Sequence, residues 1–254
     1  MKESIDGPDQ SSKASKVELI RVLDNHKLKV SFLSGSMLTV VLLMTTRYGY
    51  RKFYRRITNS EDVTSEMLRR SGEKRLPIRI KGFVTSVGDA DNFRLYHTPG
   101  FGWNWLRKIP EKRSDLKDKT IHIRLAGVDA PELAHFGNPA QPFSKEALSH
   151  LEKLVYQRKV EVDLLSKDRY NRIVGMVLVK RWNFLPFRQN VSLSMVKAGL
   201  ATVYRSSGAE YGSIYNQLVT AELRAKKAKF GIWSIDPNKF ESPKDYKSKY
   251  QSNF

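Results

Sequence analysis

The chain has 254 residues, of which 45 are Lys or Arg and 26 are Asp or Glu, for a formal net charge of +19. That length suits one domain of ordinary size with appendages, and so basic a balance favours a polyanionic partner, either nucleic acid or an anionic membrane face. The absence of cysteine excludes disulfides and thiolate metal sites, and the five histidines show no zinc-ligand spacing.

Residues 1–29 are polar and Ser-rich, and are expected to be disordered. Their acids, Glu3, Asp6 and Asp9, fit poorly with an acid-poor presequence. Next comes an uncharged run, Val30 to Thr46. As a helix rising ~1.5 Å per residue it would reach roughly 25 Å, the short end of a bilayer span. Lys27 and Lys29 precede it, and Arg47, Arg51, Lys52, Arg55 and Arg56 follow, interleaved with Tyr48, Tyr50, Phe53 and Tyr54. Those flanks predict a single transmembrane helix over residues 30–46. Residues 47–76 read as a basic, polar linker, and the folded domain is expected over residues 77–235.

Within that domain IRIKGFVTSVGDADNFRLYH predicts two strands broken at Gly88-Asp89, and IHIRL predicts a third. Ile121, Ile123 and Leu125 alternate with His122 and Arg124, so Arg124 points away from the apolar face. Between them lies a long Pro-, Gly- and Trp-bearing stretch, His97 to Lys119. Ser144 to Gln157 has helical spacing with Ser144 as N-cap, KVEVDLL and RIVGMVLV read as strands, and NVSLSMVK as a short helix before Gly199. Glu210 to Phe230 predicts a longer helix, and residues 236–254 a loose polar tail. Strands, helix, strands and helices in that order suggest an α+β fold, a small barrel buttressed by helices.

Three segments offer charged residues where strands end: Asp89 and Asp91 in GDAD, Asp129 and Glu132 in VDAPE, and Asp168, Arg169, Tyr170 and Arg172 in DRYNR. Carboxylates with backbone carbonyls are hard oxygen ligands, suited to Ca²⁺ rather than zinc. Arginines beside them match a phosphodiester, because the guanidinium fork meets phosphate oxygens in pairs. Each segment alone reads equally well as a surface ion-pair cluster.

Together, the order of VGDADNFRL, IRLAGVDAPE, KVEVDLLSKDRYNR, VKAGLA and AELRAKKAKFGIWS resembles the thermonuclease (staphylococcal nuclease-like) family, over Pro77 to Ser234. The apolar run and the PGFGWNWLRKIP insertion resemble its fungal, single-span mitochondrial membrane branch. The resemblance implies a five-stranded OB-type barrel with three helices and a Ca²⁺-dependent hydrolase of DNA or RNA phosphodiesters, endonucleolytic in mode. It implies that Asp91, Asp129 and the Ala130 carbonyl bind the metal, with Asp89 just outside the ligand set. Glu132 would orient or deprotonate the attacking water, Arg124 and Arg172 would grip the scissile phosphate, and Arg169 and Tyr170 would contact the neighbouring nucleotide. Ala130, Ala90, Asn92 and Asn171 stand where the family has threonine, glycine, threonine and glycine. Asn tolerates positive φ, so the turn before Arg172 is expected to survive. The competing readings are a catalytically inactive, membrane-tethered barrel that binds nucleic acid, or a basic barrel that docks on anionic lipid head groups through Phe101, Trp103, Trp105, Arg107 and Lys108. No feature calls for an organic cofactor.

Overall fold

The computed structural model describes residues 37–50, 54–68, 76–134, 137–180 and 187–251, with isolated helical positions at 18, 21 and 24. The chain divides into two compact units, Met1–Arg55 and Arg56–Phe254.

In the first unit residues 37–50 form helix α1. Its apolar side chains are largely exposed, Leu38 and Leu42 among them. The threonines near its end return their hydroxyls to the helix: Thr45 Oγ1 donates to Val41 O at 3.0 Å and Thr46 Oγ1 to Leu42 O at 2.8 Å. Of the expected span, residues 30–36 lie outside the described residues. Among the described residues no helix is long and apolar enough to cross a membrane.

The second unit is built on strands β1 (Arg79–Asp89), β2 (Asn92–His97), β3 (Ile121–Leu125), β4 (Val128–Asp129), β5 (Lys159–Lys167), β6 (Ile173–Lys180), β7 (Arg188–Asn190) and β8 (Thr202–Val203). The order β3-β2-β1-β5-β6 is antiparallel throughout, and a parallel pairing of β3 with β6 closes the barrel. The strands form where apolar residues alternate. In β3 every second residue is buried, and Ile121, Ile123 and Leu125 meet Phe93, Leu95, Leu164 and Ile173 inside the barrel. Full burial of such a side chain contributes about 1.5–3 kcal/mol. Gly175 makes the closing seam possible, since a Cβ there would lie 2.5 Å from Val162 Cγ1.

Helices α2 (Ser144–Val155), α3 (Val191–Lys197) and α4 (Tyr215–Lys227) follow the expected order. Helix α2 buries Ala147, Leu151 and Val155; Ser144 is its first residue rather than its cap, which falls to Phe143 at φ 64°. Asn190 caps α3, its side chain accepting from Leu193 N at 2.9 Å. Helix α4 starts five residues later than the apolar spacing suggests, because Gly212 and Ser213 take positive φ.

Two further departures bear on function. The folded unit starts at Arg56 rather than Pro77: Ile57 and Val63 are core residues, Ile57 N donates to His97 Nδ1 at 2.9 Å, and His122 N donates to Ser60 Oγ at 3.1 Å. The polar tail holds a helix, α5 (Pro243–Gln251). Ser242 caps it, accepting from Asp245 N at 3.1 Å and donating to Asp245 Oδ2 at 2.6 Å, with Pro243 at the first helical position. In the insertion Trp103 is buried edge-on to Tyr96 with Arg107 over its ring, whereas Phe101 and Trp105 are exposed.

Candidate active site

The β1–β2 turn supplies the first carboxylates. The pairing of Asn92 with Arg124 places Asp91 at the C-terminal end of β3, where its carbonyl accepts from Leu125 N at 2.8 Å. Asn92, a departure from the family pattern, organises the turn: its Nδ2 donates to Asp89 Oδ2 at 2.9 Å and to Asp91 Oδ1 at 3.1 Å. Its Oδ1 lies 3.0 Å from His122 Nε2. An amide oxygen only accepts, so that imidazole nitrogen carries the proton. Burial, aided by Arg94 and Arg172, pushes His122 down to about 4, which keeps the ring neutral near pH 7.

The second carboxylate pair leaves β3 through Gly127, whose φ of 73° reverses the chain and whose missing Cβ leaves room for Leu218 and Tyr211. Asp129 then pairs with Thr202 of β8, and Thr202 Oγ1 donates to the Asp129 carbonyl at 3.2 Å. Buried Glu222 of α4 braces β8 from behind, accepting from Val203 N at 2.8 Å and from Arg205 at 2.6 Å. Glu132 is held by its backbone: Gln141 Oε1 accepts from Glu132 N at 3.0 Å, and Gln141 N donates to Glu132 O at 2.9 Å.

The third segment is a self-contained turn. Asp168 Oδ1 accepts from Tyr170 N and Arg172 N, both at 2.9 Å, and Oδ2 accepts from Arg172 Nε at 2.7 Å. Asn171 sits at φ 61°, so the turn survives the loss of glycine. The Tyr170 ring lies under both Arg169 and Arg172, at 4.7 and 5.3 Å.

Eight of the nine expected site residues line one cleft of about 570 Å³: Asp89, Asp91, Arg124, Asp129, Glu132, Arg169, Tyr170 and Arg172. Ala130 is not in that lining; its methyl is buried in the core. Arg124 Nε lies 3.2 Å from Asp91 Oδ2 and Nη2 lies 3.3 Å from Asp129 Oδ1, with the Tyr204 ring 5.0 Å away. The sequence did not point to Lys247, on α5: its Nζ lies 2.6 Å from Asp129 Oδ1 and 2.7 Å from Glu132 Oε1. Gln141 and Tyr204 were missed as well, and Asn92 stands out in the sequence only as a departure from the family pattern. The S-P-K-D cap was the available signal for the helix that carries Lys247.

The charges work against one another. Burial opposes ionisation of Asp91, but Lys247, Arg124 and Arg172 outweigh it and hold the carboxyl below its usual range. Burial pushes Glu132 above its usual range despite the Lys247 ammonium, with Asp91 and Asp129 adding repulsion. A carboxyl raised in this way holds a proton more readily than an ordinary surface glutamate.

Among the described residues no three His, Cys, Asp or Glu side chains form a ready cage for a metal ion. The donors nevertheless suit a hard, mostly hydrated cation. All are oxygens, Asp129 Oδ2 is buried without a hydrogen-bond partner among the described residues, and a cationic ammonium already lies against Asp129 and Glu132.

Residues 122–235 match the family model described as staphylococcal nuclease homologue. Among curated proteins, a probable endonuclease LCL3 of Verticillium alfalfae is 45% identical over 221 residues, covering 85% of this chain and 73% of the relative. Proteins of the same name from Pyricularia oryzae and Sclerotinia sclerotiorum are 43% and 47% identical, with 89% and 84% of this chain and 85% and 79% of the relatives covered. With the barrel, the three charged turns and relatives covered over most of their length, the chain belongs to the family of staphylococcal nuclease homologues.

Proposed function

We propose that the cleft cuts DNA or RNA internally at phosphodiester bonds, in keeping with the relatives' printed name of probable endonuclease, and that Ca²⁺ supports the reaction. Family membership makes the chain a nuclease and a hydrolase. The observation that carries the finer reading is the convergence of Arg124 and Arg172 on one carboxylate cluster, at the mouth of a barrel with a +19 chain charge.

Asp91 and Asp129, with the Ala130 carbonyl, would hold the cation, which supplies fixed positive charge beside the phosphate. Asp89 steadies Asp91 through Asn92. The protein's own part is positioning and proton transfer. Glu132, raised by burial, takes a proton from the water that attacks phosphorus in line with the departing ester oxygen. Arg124 and Arg172 offer guanidinium forks to the phosphoryl oxygens as negative charge builds, and loss of one such contact typically costs about 10²–10³ in rate. Arg169 and the exposed Tyr170 ring extend the surface to the next phosphate and sugar. Incubating the full chain with single-stranded DNA, with Ca²⁺ or with chelator, tests the proposal; undiminished cleavage after confirmed metal removal overturns the Ca²⁺ requirement.

The residue 30–46 run is part of the same proposal, as an anchor to a mitochondrial membrane. The exposed apolar residues of α1 support it, as do threonine hydroxyls that satisfy themselves within the helix, as an apolar surrounding demands. Deleting residues 30–46 should release the protein on carbonate extraction; a deleted form that still pellets overturns the anchor.

A further inference from the structure

Lys247 is delivered to the site by a structured element. Helix α5 is nine residues long, too short to persist alone; besides Lys247, two hydrogen bonds tie it to the body, and a cap closes its first turn. Tyr246 is buried and its hydroxyl donates to the Pro139 carbonyl. Gln141 Nε2 donates to the Glu241 carbonyl at 3.2 Å, while the same side chain holds Glu132 N. Ser242 caps the first turn. With Tyr246 turned to the body, Lys244, Lys247 and Ser248, three and four residues apart, face the cleft.

The consequence concerns what else can sit there. The Lys247 ammonium touches Asp129 Oδ1 and Glu132 Oε1, one oxygen from the cation-binding pair and one from the general base. A divalent cation approaching Asp129 would meet a like charge at contact distance, and a water approaching Glu132 would find that oxygen engaged. Resting on the nuclease reading above, we propose that α5 is an autoinhibitory latch: its docked form and the cation-loaded site exclude one another, and Ca²⁺ activates the enzyme by displacing Lys247. The latch can open at modest cost, because a helix of nine residues can undock without unfolding the barrel.

Calorimetric titration of Ca²⁺ into the full chain and into Lys247→Met, Lys247→Arg and Tyr246→Ala tests this without relying on cleavage. Lys247→Met removes the charge but keeps the stem, and should bind Ca²⁺ at least about tenfold more tightly. Lys247→Arg restores a cation and should bind like the parent. Tyr246→Ala leaves the lysine in place but undocks its helix, and should bind like Lys247→Met. In the parent, saturating Ca²⁺ should speed hydrogen exchange of amides 246–250. Equal or weaker Ca²⁺ binding by Lys247→Met in a chain that still cleaves DNA overturns the latch and leaves the nuclease reading standing. Failure of parent and variant alike both to bind Ca²⁺ and to cleave overturns both.

Discussion

The two sides of the cleft are assembled in different ways. On one side Arg172 is fixed by Asp168, four residues earlier, with three hydrogen bonds closed inside a single turn. On the other, Asp129 and Glu132 meet Lys247 from a helix more than a hundred residues downstream, and the barrel beneath is strapped by Ile57 and Ser60 from well upstream. A turn closed by neighbouring residues forms wherever the chain goes. A side built from distant straps exists only when those straps are docked, and it can be undone without unfolding the barrel.

The sharpest probe of the strapped side is Glu132→Gln. It keeps volume but removes the proton acceptor, so turnover should fall by about 10²–10⁴ while oligonucleotide affinity holds or rises. Turnover per folded molecule measured beside affinity decides it, and full activity would refute the assignment.

Acid should loosen the upstream strap next. His97 Nδ1 accepts from Ile57 N, and burial, aided by Arg56, pushes the imidazole down to about 4. A folded pKa below the unfolded value of 6.5 means the unfolded chain binds the proton more readily, so this stability is complete above pH 6.5 and lost as pH falls towards 4. The loss should approach ~3 kcal/mol. His122 titrates in the same window, so the measurement is the difference in unfolding free energy between the parent and His97→Gln at pH 7, 5.5 and 4. A variant that keeps the parent's full pH slope would show that the strap is not the acid-sensitive element.

Arg124→Lys keeps the charge and loses the fork. Turnover should drop about 10²-fold while the salt dependence of DNA binding barely moves. A steep fall in affinity instead would make Arg124 a binding residue.

The smallest effect belongs to the local turn. Asp168→Ala removes the acceptor that aims Arg172, but the Asn171 turn and β6 remain, so turnover should fall about tenfold with stability lowered by ~1 kcal/mol. A loss as large as that of Glu132→Gln would erase the contrast between the two sides.

The same contrast explains what was legible in the sequence. GDAD, VDAPE and DRYNR carry their own turn chemistry, and strand alternation fixes their orientation, so Asp91, Asp129, Glu132 and Arg172 are legible from a few neighbouring residues each. Ile57 and Val63 stand singly in polar sequence, where nothing local marks a residue that will reach a core. Tyr246 is equally isolated, although Ser242 and Asp245 announced its helix. Lys247 carries no signal of its own, because its partners are chosen by packing rather than by spacing.

The parallel seam between β3 and β6 has a kinetic consequence. Every other barrel pairing is antiparallel, but Ile123 meets Ile173, and Ala126 N donates to Gly175 O at 3.0 Å, only after the chain has run through α2 and β5. Contacts so distant in sequence are slow to form. The seam also decides when Arg124 and Arg172 first line one cleft. A partly folded chain, even with every hairpin in place, therefore has no cutting edge, and nucleolytic competence should rise with protection of the Ala126 amide rather than with the appearance of secondary structure.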